Sequence, residues 1–567
     1  MEPTRFMFSG TGDPEERESV WPVDSVGASS PGPGAAFAND VRRDAGGPDH
    51  RELLRRLGCM AGQGVGKVYL IGAGPGDPGL LTIRGKEILE RVDVVIYDRL
   101  ASPRLLGFVG PRAERIYVGK RIGVHAVAQE EINRLIVQKA REGKCVARLK
   151  GGDPFIFGRG GEEAQVLSAA GIPFEVVPGV TSAIAVPAYA GIPLTHRAHT
   201  ASVAFITGHR KMDANEADVD WEGLAKGVGT LVFLMGMKNL SHIAEELIRH
   251  GRRPGTPVAV IRWGTTPGHR SVTGTLADIV ERVQQACIEP PAIIVVGDVV
   301  ALRDQISWFE KRPLLGKRIL VTRALDQAGE LVRMIEDRGA YAIECPTIEV
   351  SRPEDLGPLD QATARLSDFD WVIFSSTNAV RFFFDRLFAR GLDLRVLGGV
   401  KIAAVGSGTA EALAALHLRS DLIPADFRAE GLLDAFAKVG VSGKRVLLPR
   451  AQKAREVLPE GLAEQGAEVT VVTAYRTTMP ELDPAVCQVM ENGPVDVVIF
   501  TSPSTARHFT RLVPEHVRNR LLAGAKVACI GPVTAEAARV LGMTVSIEPA
   551  ESTIASLVEA LEEFFLS

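Results

Sequence analysis

The feature that most restricts this chain is a repeat inside its C-terminal half. G-K-R-I-L-V-T-R-A at 316–324 returns as G-K-R-V-L-L-P-R-A at 443–451, 127 positions later. D-W-V-I-F-S-S at 370–376 returns as D-V-V-I-F-T-S at 496–502, 126 later. V-G-S-G-T-A-E-A at 405–412 and the run 429–436 return at 530–537 and 554–561, both 125 later. Four blocks kept in order at a nearly constant offset imply two similar α/β lobes. In each lobe an apolar strand ends in hydroxyl residues just before a helix: Ser375, Ser376 and Thr409 in one, Ser502, Ser504 and Thr534 in the other. Taken singly, such residues cap their helices. Paired across two lobes, helix starts with free N–H groups also suit anions, and a polyanionic small molecule held between the lobes is the inference.

The first half is organised around Val68–Thr82. Val68–Ile71 reads as a buried strand, Gly72–Asp77 as a glycine-rich turn, and a helix-like run follows from Leu80. A glycine-rich turn after a strand first suggests a dinucleotide loop, with a plain tight turn as the rival. The loop fingerprint requires glycine where Asp77 stands, and Pro75 removes an N–H that a phosphate would use. Further strands are expected at Val92–Tyr97, Cys145–Leu149, Ser202–Ile206, Thr230–Leu234, Val258–Arg262 and Ala292–Val296, with a helix over Gln129–Glu142. Strands alternating with helices predict a largely parallel sheet with ligand loops at its carboxyl ends.

The length of 567 residues allows three or four domain-sized units. A net charge of −4 gives no electrostatic case for nucleic acid or an anionic membrane, and no apolar run is long enough to span a bilayer. The six cysteines are scattered without CxxC spacing, which argues against zinc and disulfides, fits a reducing cytoplasm and makes each a small core residue. Residues 1–59, rich in Gly, Pro, Ser, Asp and Arg, lack the apolar content to offset ordering entropy and are expected to be a disordered extension. Met60 stands just before the first strand as an alternative start, under which that extension is an artefact of gene calling.

G-A-G-P-G-D-P-G-L-L-T at 72–82, Y-D-R at 97–99, G-K-R at 119–121 and L-K-G-G-D-P-F-I-F-G-R-G-G-E-E at 149–163 resemble uroporphyrinogen-III C-methyltransferase. P-G-V-T-S at 178–182 and G-I-P-L-T-H-R at 191–197 add to the resemblance, which spans 67–303. It implies a tetrapyrrole methylase: a two-lobed α/β subunit that forms a homodimer, with S-adenosylmethionine folded between the lobes. The second half resembles uroporphyrinogen-III synthase in its two-lobed plan, in Ser375-Ser376, in A-Y-R at 474–476 and in I-G-P-V-T at 530–534. The domains expected are therefore methylase 60–303, linker 304–315 and synthase 316–567, with lobes about 316–350 plus 478–567, and 351–477.

The resemblance assigns a proton acceptor to Asp98 and a proton donor to Lys120; a loop cap and a solvated surface charge are the alternatives. Cofactor contacts implied are Pro75, Gly151, Gly152, Asp153, Ile156, Thr181, Ser182, Met235 and Gly264. Met235 packs on the adenine in that reading and in the core in the other. Many relatives carry Tyr where this chain has Leu234, so a hydroxyl is missing there. Arg159, His196 and Arg197 are placed against substrate carboxylates or in structural ion pairs. In the synthase half Tyr475 assists departure of a hydroxyl, or simply packs in a crossing strand, while Ser376, Ser502 and Thr534 bind acetate and propionate groups. The expected activity is conversion of hydroxymethylbilane to uroporphyrinogen III, then methylation at C2 and C7 to precorrin-2. The alternative is a methylase of a later corrin intermediate with a non-catalytic, tetrapyrrole-binding C-terminal half.

Overall fold

Three of the first five strands, at Val68–Gly72, Val94–Tyr97 and Val146–Lys150, form where the apolar runs predict them; those at Glu114–Tyr117 and Phe174–Val177 were not expected. The computed structural model describes residues 64–119, 128–208, 219–491 and 493–567; the extension 1–59 and Lys120 lie outside the described residues. β1 (Val68–Gly72), β2 (Val94–Tyr97), β3 (Glu114–Tyr117), β4 (Val146–Lys150) and β5 (Phe174–Val177) make a sheet in the order β3-β2-β4-β1-β5, every pair parallel. β1 and β4 are buried along their whole length, which is why they read as continuous rather than alternating runs. Successive residues serve opposite faces: Ile71 and Val95 join Leu89 on one, Leu70 and Val94 join Ile136 on the other.

The second sheet departs from the expected parallel pattern. β6 (Val203–Thr207), β7 (Thr230–Leu234), β8 (Pro257–Arg262), β9 (Arg270–Thr275) and β10 (Ala292–Val296) run in the order β6-β7-β10-β8-β9. Only β6 and β7 are parallel; β10 is antiparallel to both its neighbours, as β8 is to β9. The physical reason for the last pair is connection length: residues 263–269 are too few for the crossover a parallel pair needs.

Residues 304–315 are built into short helical turns at Arg303–Ile306 and Phe309–Lys311. Trp308 Nε1 donates to the Ala188 carbonyl at 3.1 Å, and Leu314 is buried with Ile319 and Ala340. Glu310 accepts from His269, Ser271 and Arg303.

By compactness the described residues divide into two units. One comprises Gly357–Arg450 with Arg455–Val472; the other comprises the chain through Leu356, then Ala451–Ala454 and Thr473–Ser567. The remaining strands are β11 (Arg318–Val321), β12 (Tyr341–Glu344), β13 (Glu349–Ser351), β14 (Trp371–Phe374), β15 (Lys401–Ala404), β16 (Arg445–Ala451), β17 (Glu468–Thr478), β18 (Val497–Phe500), β19 (Lys526–Cys529) and β20 (Val545–Ile547). One sheet runs β12-β11-β18-β19-β20 and the other contains β17-β16-β14-β15, extended by a parallel bridge from Ala403 to Leu422. The sequence repeat is thus a repeat of sheet positions: β16 stands for β11, β14 for β18 and β15 for β19. Its chain order differs: β11 precedes β18 and β19, whereas its counterpart β16 follows β14 and β15. The far end of β17, Arg476–Thr478, pairs antiparallel with β13.

No described helix is long and apolar enough to cross a membrane. Cys145, Cys345 and Cys529 are buried as expected, whereas Cys287 is exposed and so is not a core residue.

Candidate active site

The glycine turn after β1 is shaped by backbone packing. Ala73 N donates to the Lys150 carbonyl at 2.7 Å, and Gly74 and Gly152 exchange both of their N–H···O bonds, at 3.2 and 2.7 Å. A Cβ on Gly72 would fall 2.4 Å from Gly179 Cα and 2.7 Å from the Gly152 carbonyl oxygen. Three backbone segments therefore meet where only glycine fits. Asp77, the residue that breaks the dinucleotide fingerprint, ties this turn to the second sheet's loops. Its carboxylate accepts from Gly79 N at 2.7 Å and Tyr189 Oη at 2.7 Å, and its N–H donates to Thr265 Oγ1 at 3.3 Å. Burial, then the Asp77 carboxylate, push the Tyr189 phenol above its ordinary value, so it stays protonated and donates.

Backbone strain collects on the same loops. Among the described residues, seven non-glycine residues have positive φ, and five of them are Phe157, Arg159, Met235, Trp263 and Thr265. Such conformations cost free energy and persist where the surroundings enforce them, often at ligand sites. Gly264, between two of them, approaches the helix Ser182–Tyr189 so closely that a Cβ would lie 2.5 Å from Val186 Cγ1.

The expected cofactor residues are distributed along these loops. Pro75 lies between Gly74 and Gly76, both at positive φ. Asp153 holds its own loop: Oδ1 accepts from Phe155 N at 2.8 Å and Ile156 N at 3.2 Å, and Oδ2 from Gly179 N at 2.9 Å. Thr181 caps the helix Ser182–Tyr189, its hydroxyl accepting from Ala183 N at 3.3 Å. A Cβ built on Gly152 would meet nothing nearer than 3.8 Å, at Thr181 and Ser182, so bare glycine leaves open space above that helix start. Gly151 is closed by Leu100 instead, at 2.5 Å. Ile156 is 37% exposed and Met235 53% exposed, so Met235 does not fill the core. Open backbone, apolar side chains left in solvent and a capped helix start fit an adenosyl-bearing ligand such as S-adenosylmethionine. Gly152, Thr181, Ile156 and Met235 are the residues that would hold it.

Asp98 follows β2 at its carboxyl end. Its Oδ1 accepts from Leu100 N at 3.0 Å, a local cap, and its Oδ2 from Arg148 Nη2 at 3.1 Å. Arg148 is buried in β4 beside Ile96 of β2 and also reaches Glu163. Arg148, Lys150 and Glu163 were not singled out from the sequence as functional. The signal lay in V-A-R-L-K, where a charge interrupts a run otherwise suited to a fully buried strand. Arg159 pairs with Glu162 on the surface, and His196 and Arg197 are exposed, with His196 Nδ1 accepting from Ala198 N at 3.2 Å.

In the second half the paired serines have the same backbone. Ser376 (φ −162°, ψ 158°) accepts from Ala379 N at 3.1 Å, and Ser502 (φ −163°, ψ 158°) accepts from Thr505 N at 3.2 Å. Each caps the helix that follows its strand, as the simpler reading held. Thr534 is buried in the first turn of the helix Pro532–Val540. Tyr475 is 9% exposed in β17, its carbonyl accepting from Gln452 N at 2.8 Å. Beside it, Arg476 donates to Ser351 Oγ at 3.0 Å and pairs with Glu354. Among the described residues no group of three or more His, Cys, Asp or Glu side chains is placed to hold a metal ion.

Comparison with known proteins adds the following. Residues 67–280 match the Tetrapyrrole (Corrin/Porphyrin) Methylases and residues 329–559 match Uroporphyrinogen-III synthase HemD. The Porphyrin biosynthesis protein HemD of Ruminiclostridium josui is 40% identical over 499 residues, 88% of this chain and 98% of that protein. The S-adenosyl-L-methionine-dependent uroporphyrinogen III methyltransferase of Methanosarcina barkeri is 56% identical over 239 residues, 42% of this chain and 94% of that protein. Among solved structures, the uroporphyrin-III C-methyl transferase of Thermus thermophilus complexed with S-adenyl homocysteine is 43% identical, with a TM-score of 0.36, covering 42% of this chain and 100% of that one.

Proposed function

Because the chain belongs to the family that fuses a tetrapyrrole methylase of the uroporphyrinogen-III C-methyltransferase type to a uroporphyrinogen-III synthase, we propose that it carries out two consecutive steps. The synthase half closes hydroxymethylbilane to uroporphyrinogen III with inversion of ring D, losing water. The methylase half then methylates that product at C2 and C7, giving precorrin-2. The observation that carries the methylase assignment is the convergence of strained, glycine-bare loops from both sheets beside an acid at the end of β2.

S-adenosylmethionine, when bound, supplies an electrophilic methyl group on a sulfonium sulfur. The porphyrinogen carbon provides the electron pair, so the protein's part is alignment and proton handling. Asp98 takes up the proton the methylated ring releases. Lys120 donates a proton or pairs with a substrate carboxylate. Pro75, Gly151 and Gly264 contact the cofactor through their own backbone, and Asp153 keeps its loop in shape. In the synthase half Tyr475 assists departure of the hydroxyl, while Ser376, Ser502 and Thr534, with the N–H groups of their helix starts, bind carboxylates.

The parts proposed are methylase 60–303, connector 304–315 and synthase 316–567, assembled as a homodimer through the methylase half and working in the cytoplasm. The test is incubation of the full chain with uroporphyrinogen III and methyl-labelled S-adenosylmethionine. A doubly methylated tetrapyrrole is expected; its absence overturns the assignment.

A further inference from the structure

Three buried charges stand behind Asp98. Arg148 and Lys150 alternate along β4, and Glu163 lies on the helix Gly160–Ala169 with its side chain wholly buried. One oxygen, Glu163 Oε1, accepts from Arg148 Nε at 3.2 Å, Lys150 Nζ at 2.9 Å and Gln129 Nε2 at 2.9 Å. Arg148 Nη1 is committed to the carbonyls of Ile96 and Leu149, at 3.4 and 3.0 Å, which leaves Nη2 for Asp98. The guanidinium is thus held on three sides, and its remaining corner points to the partly exposed end of the network.

This arrangement is not what fold stability alone favours. Two cations face one anion in the interior, and Glu163 Oε2 is buried with no hydrogen-bond partner among the described residues. Burying ions in this way costs free energy that apolar packing would not. Burial first, then the neighbouring Arg148, lower the Lys150 basicity, opposed by Glu163. Asp98 is the second anion that balances the set.

We propose that Glu163 is the positioning residue for Asp98. By gathering Arg148 and Lys150 on one oxygen, it fixes the guanidinium so that Nη2 meets Asp98, holding that carboxylate in place to accept the proton released on methyl transfer. The proposal rests on the reading of Asp98 as proton acceptor. Among the described residues, the charged groups of this network are Arg148 beside Asp98, then Lys150 and Glu163, with Arg99 next to Asp98 in the chain. β2 and β3 carry Tyr97 and Tyr117, edge to face at 5.5 Å, and β3 also carries Glu114 and Arg115.

The full chain carrying Glu163→Gln is compared with wild type for kcat and KM of methyl transfer to uroporphyrinogen III, for S-adenosylhomocysteine binding by calorimetry and for thermal melting. Should the released charge unfold it, Glu163→Gln/Lys150→Met removes one charge of each sign and takes its place. The expected result is a fall in kcat of about tenfold or more with unchanged S-adenosylhomocysteine affinity and stoichiometry. The KM for uroporphyrinogen III should stay within about twofold, so that the loss is confined to turnover. An unchanged kcat with only a lower melting temperature overturns the positioning role. No methylated product from wild type overturns instead the reading on which the proposal rests.

Discussion

At the scale of single residues, Asp98 shows that a cap and a catalytic group need not exclude each other. One oxygen orders the turn through Leu100 N, and the other meets Arg148, leaving lone pairs for a proton. Asp98→Asn keeps the shape and removes the acceptor, so methyl transfer should fall by about 100-fold or more while S-adenosylhomocysteine affinity stays within about twofold. Calorimetry beside steady-state rates checks both. The glycines of the same motifs divide by what surrounds them. Gly72→Ala forces a Cβ against two stretches of backbone and should destabilise by about 1–3 kcal/mol, whereas Gly161→Ala meets nothing within 4 Å. The second should be neutral or stabilise by roughly 0.4–1 kcal/mol, read from paired melts.

Among elements, the connector between the halves is held by one partly buried carboxylate, Glu310, and its three partners. Glu310 is pushed up by burial but pulled down further by His269, Ser271 and Arg303, to about 2 from an ordinary 4.5. A carboxylate depressed on folding contributes stability that is present above its unfolded value and lost as pH falls through the folded one. The wild-type protein should therefore lose this contribution between about pH 4.5 and 2, and Glu310→Gln should lack that part of the slope. Melting temperatures of both proteins across that range decide it; parallel curves would refute the cluster's role. At the helix caps, Ser502→Ala removes the acceptor for Thr505 N and should cost about 1 kcal/mol.

Over the whole molecule, the assignment predicts that the two chemistries separate by mutation within one intact chain. Asp98→Asn should leave cyclisation of hydroxymethylbilane at its wild-type rate. Tyr475→Phe should slow cyclisation while methyl transfer is unchanged. Loss of both activities in either variant would refute two independent sites. The repeat bears on this scale too, since matched blocks occupy matched places: β11 and β16, β18 and β14, β19 and β15. A lobe built twice from one plan offers the same kind of helix start twice, at Ser376 and Ser502.

Much of this was legible in the amino-acid order. Apolar runs predicted β1, β2, β4, β6, β7, β8 and β10 to within a residue or two, because burial selects continuous hydrophobic stretches, whereas the more exposed β3, β5 and β9 were missed. The repeat offset foretold two like lobes, and glycine spacing marked the loops at which backbones converge. What only the tertiary structure decided is which distant residues become neighbours. Asp98 and Arg148 are 50 positions apart and meet because β4, not the next strand in sequence, lies between β2 and β1. Asp77 and Tyr189, 112 apart, meet across two sheets. The antiparallel course of the second sheet was likewise hidden, since a run of apolar residues encodes burial but not direction. Local order reflects propensity and periodicity, which each segment carries in its own residues; a charge network depends on strand order, which belongs to the chain as a whole.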